Sequence, residues 1–196
     1  MVQVFDLFIA SVFEEEGDFS NDPRDRGNWS TGVVGCGYNG GTKRGIDTAS
    51  YLDNLNLLPN NVRSGFPKLV KDLTDEQCAV LYRYGYWLQC DCDAIHPAIA
   101  ILVADFAVNS GVSRAIKTLQ TCVGSASDGV IGPATLAAIK RAAPDAGKVA
   151  ALAGEYQDAR LIFLTGCSGW IVNQGGWRRR CFDLAVLSGR LNAVTA

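Results

Sequence analysis

Three consecutive glutamates, Glu14, Glu15 and Glu16, run into Gly17, and Asp22 and Asp25 follow within nine residues of Glu16. A glycine-rich run from Gly27 to Gly41 then leads to Thr42, Gly45 and Ile46. Carboxyls facing each other across such a loop supply what acid/base cleavage of a glycoside needs. One carboxylic acid protonates the leaving oxygen, and a second group activates water or steadies the oxocarbenium ion. Glu16 is the candidate acid. Asp25 and Asp22 compete for the second role, and Thr42 is the hydroxyl that would help hold the attacking water. An acid working near neutral pH needs partial burial against apolar walls, for which Phe13, Phe19 and Trp29 are the candidates. Each residue also has an ordinary reading. Glu16 can be one of three solvated acids on a helix end, and Asp22 in Asn21-Asp22-Pro23 suits turn chemistry, its carboxylate bonding the backbone. Trp29, Tyr38, Tyr86 and Trp87 offer faces on which sugar rings stack, or else they belong to the core.

The elements that must position these residues are legible in outline. Val4, Phe5, Phe8, Ile9, Val12 and Phe13 recur at steps of three and four, which predicts an amphipathic helix over residues 2–16. Gly17 stops it. Short strands are expected around Val33–Val34 and Thr42–Ile46, then a helix from Asp47 to Leu58, broken at Pro59. Thr74-Asp75-Glu76-Gln77 is a capping box that opens the next helix. A buried helix from Pro97 to Val108 ends at Asn109-Ser110-Gly111, and another spans Ser113 to Cys122. Pro133 begins a helix at the position where its missing N–H does no harm. A long helix runs from Asp145 to Thr165. The last is expected near Trp177, started by Gly175-Gly176, with Trp177 and Phe182 turned to the core. Asp105, in an apolar helix, is expected to satisfy a buried donor. The fold class is α+β, mainly α, with a small β element near the N-terminus. A catalytic region over 1–104 and a helical C-terminal lobe over 105–196 are expected to form one compact unit.

Composition excludes several functions. The chain has 196 residues, 48% hydrophobic, with a net charge of -2, enough for a real core but with no strong field toward nucleic acid. Its charge is uneven: from Ala159 onward Asp183 is the only acid, against Arg160, Arg178, Arg179, Arg180 and Arg190. Arginines exposed there would attract phosphates of a wall or an outer leaflet. A zinc amidase needs several histidines, and His96 is the only one; no metal or other cofactor is expected. A cysteine peptidase would need Cys36 paired with that same His96. The seven cysteines are odd in number and scattered, which reads as reduced thiols in a protein made in cytoplasm. Asp6 interrupts the N-terminal apolar run and no basic start precedes it, unlike a signal peptide. No apolar stretch is long enough for a membrane span.

Several motifs, in order, resemble glycoside hydrolase family 108, the N-acetylmuramidases of phage endolysins and bacterial autolysins. They are Glu16-Gly17-Asp18-Phe19, then Asn21-Asp22-Pro23-x-Asp25-x-Gly27, then Gly41-Thr42-x-x-Gly45-Ile46. The likeness continues through Tyr82-Arg83-x-Gly85-Tyr86-Trp87 and Asp105-Phe106-Ala107-Val108-Asn109-Ser110-Gly111. Asp18 and Phe19 depart from the usual Gly-Tyr. The resemblance implies a two-lobed, lysozyme-like fold with the essential glutamate at Glu16, acting on the β-1,4 bond between N-acetylmuramic acid and N-acetylglucosamine. Asp25 stands at the glutamate-to-aspartate interval of phage-type lysozymes. The same short interval onward lands on Thr31, whereas the motif context favours Thr42. Asn109 resembles the asparagine that those enzymes place at the cleft, and is equally a helix stop. The stretch from Leu119-Gln120 through Asp128-Gly129 and Gly132-Pro133 to Thr135 resembles the family's peptidoglycan-binding region. The resemblance thus implies an enzyme acting on peptidoglycan, and the lack of an export signal and of a separate wall-binding module suggests a phage endolysin, expected to be a monomer. It would be made in the host cytoplasm, released by a holin, and active in the periplasm. A non-catalytic wall-binding protein and a bacterial autolysin or secretion activator are the alternatives.

Overall fold

The computed structural model describes residues 3–195. Helix α1 (Val4–Glu16) is opened by a reciprocal cap between Gln3 and Asp6 and buries Phe8, Ile9 and Val12. It ends at Gly17, whose φ of 68° lies in the left-handed region that a side chain would resist.

Three two-residue strands follow, β1 (Phe19–Ser20), β2 (Thr42–Lys43) and β3 (Ile46–Asp47), in one antiparallel sheet of order β1-β2-β3. Ser20, Thr42 and Asp47 form one cross-strand row, and Phe19, Lys43 and Ile46 the next. Between β2 and β3 only Arg44 and Gly45 make the turn. Both have positive φ, 48° and 77°, as a type I′ hairpin requires. Arg44 has no glycine's freedom, so its conformation is held from several sides. Its N–H donates to the Asp18 carbonyl at 2.8 Å, and its guanidinium forks onto Asp75 at 2.9 and 3.1 Å. The same group sits 5.1 Å over the Phe13 ring, and the Arg44 carbonyl accepts from the Tyr82 hydroxyl at 2.7 Å.

Val33–Val34 is not a strand. Both valines are exposed and lie in an irregular loop, because glycines surround them and no strand lies opposite. The loop is closed at its base instead, by a bridge between Trp29 and Asn39 and a Ser30 N–H to Tyr38 carbonyl bond of 3.0 Å. The helix expected from Asp47 begins only at Tyr51, as α2 (Tyr51–Asn56). Asp47 belongs to β3, and its carboxylate accepts from the Ser50 N–H and hydroxyl. Tyr51, Leu55 and Leu58 are buried, but Leu52 is exposed. A short α3 (Asn60–Arg63) precedes α4 (Asp75–Tyr82), which carries the Thr74–Gln77 capping box in both directions. Tyr82 meets Phe8 and Phe13 edge-on, at 6.4 and 6.3 Å.

The chain divides into two compact units between Gly85 and Tyr86. A boundary at 104/105 would fall inside a continuous helix, α5 (Pro97–Ser110). In the second unit α5 is buried from Ala98 through Ala107, as befits a helix apolar all round. It packs against α6 (Val112–Cys122), α8 (Ala146–Thr165) and α9 (Trp170–Thr195), while α7 (Pro133–Ala142) packs on α8. Asp105, at the centre, accepts from Arg160 at 2.6 Å and from Arg180 at 2.9 Å, so it does satisfy buried donors. Helix α9 starts at Trp170, and Gly175 and Gly176 lie in its interior rather than at its start. The first turns hold together because Trp170 packs on Trp177 at 6.2 Å and Arg178 stacks 5.1 Å over Trp170. Phe182, expected in the core, is exposed. The inward positions go to Arg180, Cys181 and Leu184, with Arg180 drawn in by Asp105.

Candidate active site

Glu16 occupies the last position of α1, and the hairpin turn comes up beside it. A Cβ placed on Gly45 would lie 3.0 Å from Glu16 Oε2, 3.1 Å from its Cγ and 2.5 Å from the Tyr82 hydroxyl. The carboxylate therefore rests over bare backbone that only glycine leaves open. The apolar wall expected for it is not in place. Glu16 is exposed; Phe13 is covered by Arg44. Phe19 lies on Gly41, where an added Cβ would meet its ring at 2.6 Å. Trp29 turns its indole N–H to the Pro23 carbonyl at 2.9 Å.

The two aspartates have different surroundings. Asp22 is held by Arg24, whose guanidinium bonds both carboxylate oxygens and whose N–H bonds one of them. Those bonds press its pKa down to about 2. Asp25 caps a single 3-10 turn over Arg26–Asn28, accepting the Gly27 N–H at 2.9 Å through Oδ1. Gly27 also carries the approach of Asp47, whose Cβ would lie 3.3 Å from a Cβ added there.

Thr42 donates its hydroxyl proton to Asn28 Oδ1 at 2.6 Å. Asn28 is a site residue that the sequence does not single out. It is fully buried: its amide donates to the Asp22 carbonyl at 3.0 Å, and its own carbonyl accepts from Gly40 and Gly41. Through its side chain Asn28 ties the aspartate turn to β2, and through its backbone carbonyl it holds the end of the glycine loop. Sequence offers no signal for it, since asparagine beside glycine reads as a turn residue. Thr31, the competing threonine, serves the loop by donating to the Cys36 carbonyl at 2.9 Å.

Phe19 and Tyr38 are 45% and 49% exposed, their rings seated on Gly41 and Gly40. They leave aromatic faces open to a sugar ring. Trp87 does not: it is 2% exposed and its indole donates to Asp93 at 2.7 Å, so it is a core residue and not a stacking surface. Trp87, the half-buried Tyr86 and Asn109 all belong to the second unit. Asn109 accepts from the Ser110 hydroxyl at the end of α5.

His96 is engaged at both ring nitrogens, Nδ1 accepting from the Ala98 N–H at 3.3 Å and Nε2 lying 3.1 Å from the Thr195 hydroxyl. It caps α5. Burial pushes the Cys78 and Cys122 thiols up to about 11, which keeps them protonated and unreactive at neutral pH.

Among solved structures, the chain is similar to SagA of Brucella abortus, with 29% identity and a TM-score of 0.73 over 96% of this chain and 95% of that one. That likeness and the small antiparallel sheet beside the helices are consistent with a lysozyme-like α+β fold. No curated protein matches. Residues 9–111, which hold Glu16, Asp25, Asn28 and Thr42, match the model for Glycosyl hydrolase 108. More than half of the chain lies in that match, and the protein belongs to the glycosyl hydrolase 108 family of glycoside hydrolases.

Proposed function

We propose that the protein hydrolyses the β-1,4 bond between N-acetylmuramic acid and N-acetylglucosamine in bacterial peptidoglycan, with Glu16 as general acid. The observation that carries this reading is the seat of Glu16: a helix-terminal carboxylate beside the Arg44–Gly45 turn, inside the matched stretch. Thr42 is three residues up the same hairpin, within about 10 Å along the strand. Exposed in the free protein, Glu16 gains the burial that an acid needs when the glycan lies over it, and there gives its proton to the leaving glycosidic oxygen. Thr42 has committed its proton to Asn28, so its oxygen can only accept, and a water held there gives it one O–H. Asp25 Oδ1 is occupied by the Gly27 N–H, which leaves Oδ2 to take the proton of the attacking water or to face the oxocarbenium ion. Phe19 and Tyr38 are the faces against which the glycan lies. Use as a phage endolysin released by a holin is part of the same proposal. What supports it is the set of seven unpaired thiols, which fits synthesis in a reducing compartment.

The test is digestion of purified peptidoglycan with the wild type and Glu16→Gln, reading reducing sugar ends and free amines separately. Reducing ends are expected from the wild type, and a loss of about two to four powers of ten in the variant with an unchanged melting temperature. Free amines instead of reducing ends, or more than about a tenth of the activity left in Glu16→Gln, would defeat the assignment.

A further inference from the structure

Helices α8 and α9 enclose a groove of about 410 Å³ whose walls include Leu102, Ala153, Gly154, Leu161, Ala185 and Phe182. Small side chains leave it open, and its lining is mostly carbon. Two charged residues line it, Asp158 and Arg178. Arg178 stacks on Trp170. At the start of α9, Ile171 and Val172 are 82% and 86% exposed, and Ile162 near the end of α8 and Phe182 are exposed as well. From Ala159 onward the exposed charged residues are Arg178, Arg179 and Arg190 against Asp183.

We infer that the exposed face that runs from the first turns of α9 along the α8–α9 groove docks on the surface of an anionic phospholipid bilayer. A purely anionic glycan would be met by the arginines alone and would leave Ile171, Val172 and Phe182 in water. A bilayer surface answers both chemistries, with phosphates for the guanidinium groups and acyl chains below them for the aliphatic tip and the apolar groove. Trp170 and Trp177 have the amphipathic rings that settle at headgroup level. The contact is peripheral, since no described helix is long and apolar enough to cross a membrane. It is separate from the glycosidase chemistry, which uses residues of the first unit. Its consequence is to hold the enzyme on the membrane face of the wall it cuts.

The experiment is co-sedimentation of the full chain with vesicles of phosphatidylcholine alone and of phosphatidylcholine mixed with phosphatidylglycerol, at low and physiological salt. The variants are the double Ile171→Ser/Val172→Ser and the single Arg178→Gln. Light scattering gives the oligomeric state, and activity is read on lipid-free peptidoglycan. The wild type should bind the anionic vesicles. The double variant should bind them at least about tenfold more weakly at both salts. Arg178→Gln should weaken binding chiefly at low salt, because screening removes surface attraction beyond about 8 Å at physiological ionic strength. All should keep wild-type hydrolysis and the double variant the wild-type melting temperature, while Arg178→Gln, which loses its stacking on Trp170, should stay folded at the assay temperature. Equal binding by the wild type and the double variant, or no binding to anionic vesicles, overturns the proposal. So does a wild-type dimer that the double variant converts to monomer, which would assign the patch to a second copy of the chain.

Discussion

Asp22 and Asp25 stand three residues apart, and their neighbours separate their uses. Arg24 takes both oxygens of Asp22 and holds its pKa near 2. A carboxylate so weakly basic is a poor acceptor for a water proton at neutral pH. The shift is downward, so the bond to Arg24 is fully present above the ordinary value of 3.8 and is lost only as pH falls through about 2. Asp22 is charged and paired throughout any working range. Asp25 gives one oxygen to a backbone N–H, and the other is the one the proposed mechanism uses. Asp25→Asn is therefore expected to lower turnover on peptidoglycan by about a hundredfold or more, and Asp22→Asn by less than about threefold. A rate comparison on purified walls checks the order, and the reverse order exchanges the roles. Much of this site can be read in the chain. Glu16 is visible because a glycine ends an apolar-faced helix there, and Thr42 because of the Gly-Ile that follows it. Asn28 is not, and Tyr82 shows only as a motif residue without its role, since they act through partners 14 and 38 residues away, and local pattern carries no such information.

Elements follow the same division. Helix starts written in short-range chemistry are legible: Thr74 with Gln77, Pro97, Pro133, and Asp145 bonding the Lys148 N–H. Those set by distant packing are not. Gly175-Gly176 resembles a helix boundary, yet aromatic and cation–π contacts across it continue α9 back to Trp170. The correction has a measurable side. Neither glycine has positive φ, and a Cβ on either would meet nothing within 4 Å. Gly175→Ala and Gly176→Ala should each stabilise the protein by about 0.5–1 kcal/mol. Gly45→Ala, at φ +77 with a Cβ 2.5 Å from the Tyr82 hydroxyl, should destabilise it and displace Glu16. Thermal unfolding of the three variants gives the signs, and a stabilised Gly45→Ala would contradict the hairpin geometry. The strand expected at Val33–Val34 fails for a related reason. β-branched residues favour strands only where a partner strand and a covered face exist, and this loop supplies neither.

Across the molecule, the two units are built on different principles. The first gathers α1, α4 and three very short strands around Phe8, Val12 and Tyr82. The second is a helical bundle around α5 with a charge cluster inside it, one aspartate against two arginines. Asp105 and Arg160 are each 1% exposed, and Arg160 keeps Nε and Nη1 buried without a hydrogen-bond partner. Taking away the only acid of this cluster leaves two buried cations uncompensated. Asp105→Ala should lower the unfolding free energy by about 3–5 kcal/mol, measured by urea denaturation at neutral pH. A loss below about 1 kcal/mol would mean that the cluster is a surface-type pair in effect. The apolar run of α5 is plain in the sequence. Its partners Arg160 and Arg180 read there as members of a basic tail, and only packing shows that they face inward while Arg178 and Arg179 do not.

The loop tied off by the Trp29–Asn39 bridge has a consequence for how such enzymes diversify. Its two ends are fixed by backbone bonds, and the exposed residues between them make few demands on the sheet. Lengthening a closed loop is cheap, at about 0.6 kcal/mol for each doubling. New segments can thus be spliced between Ser30 and Tyr38 while Asn28 and Thr42 keep their places. Adaptation to walls with different cross-links would then proceed by insertion and deletion in that loop. A peptide chosen to recognise one cell surface can be grafted at the same point.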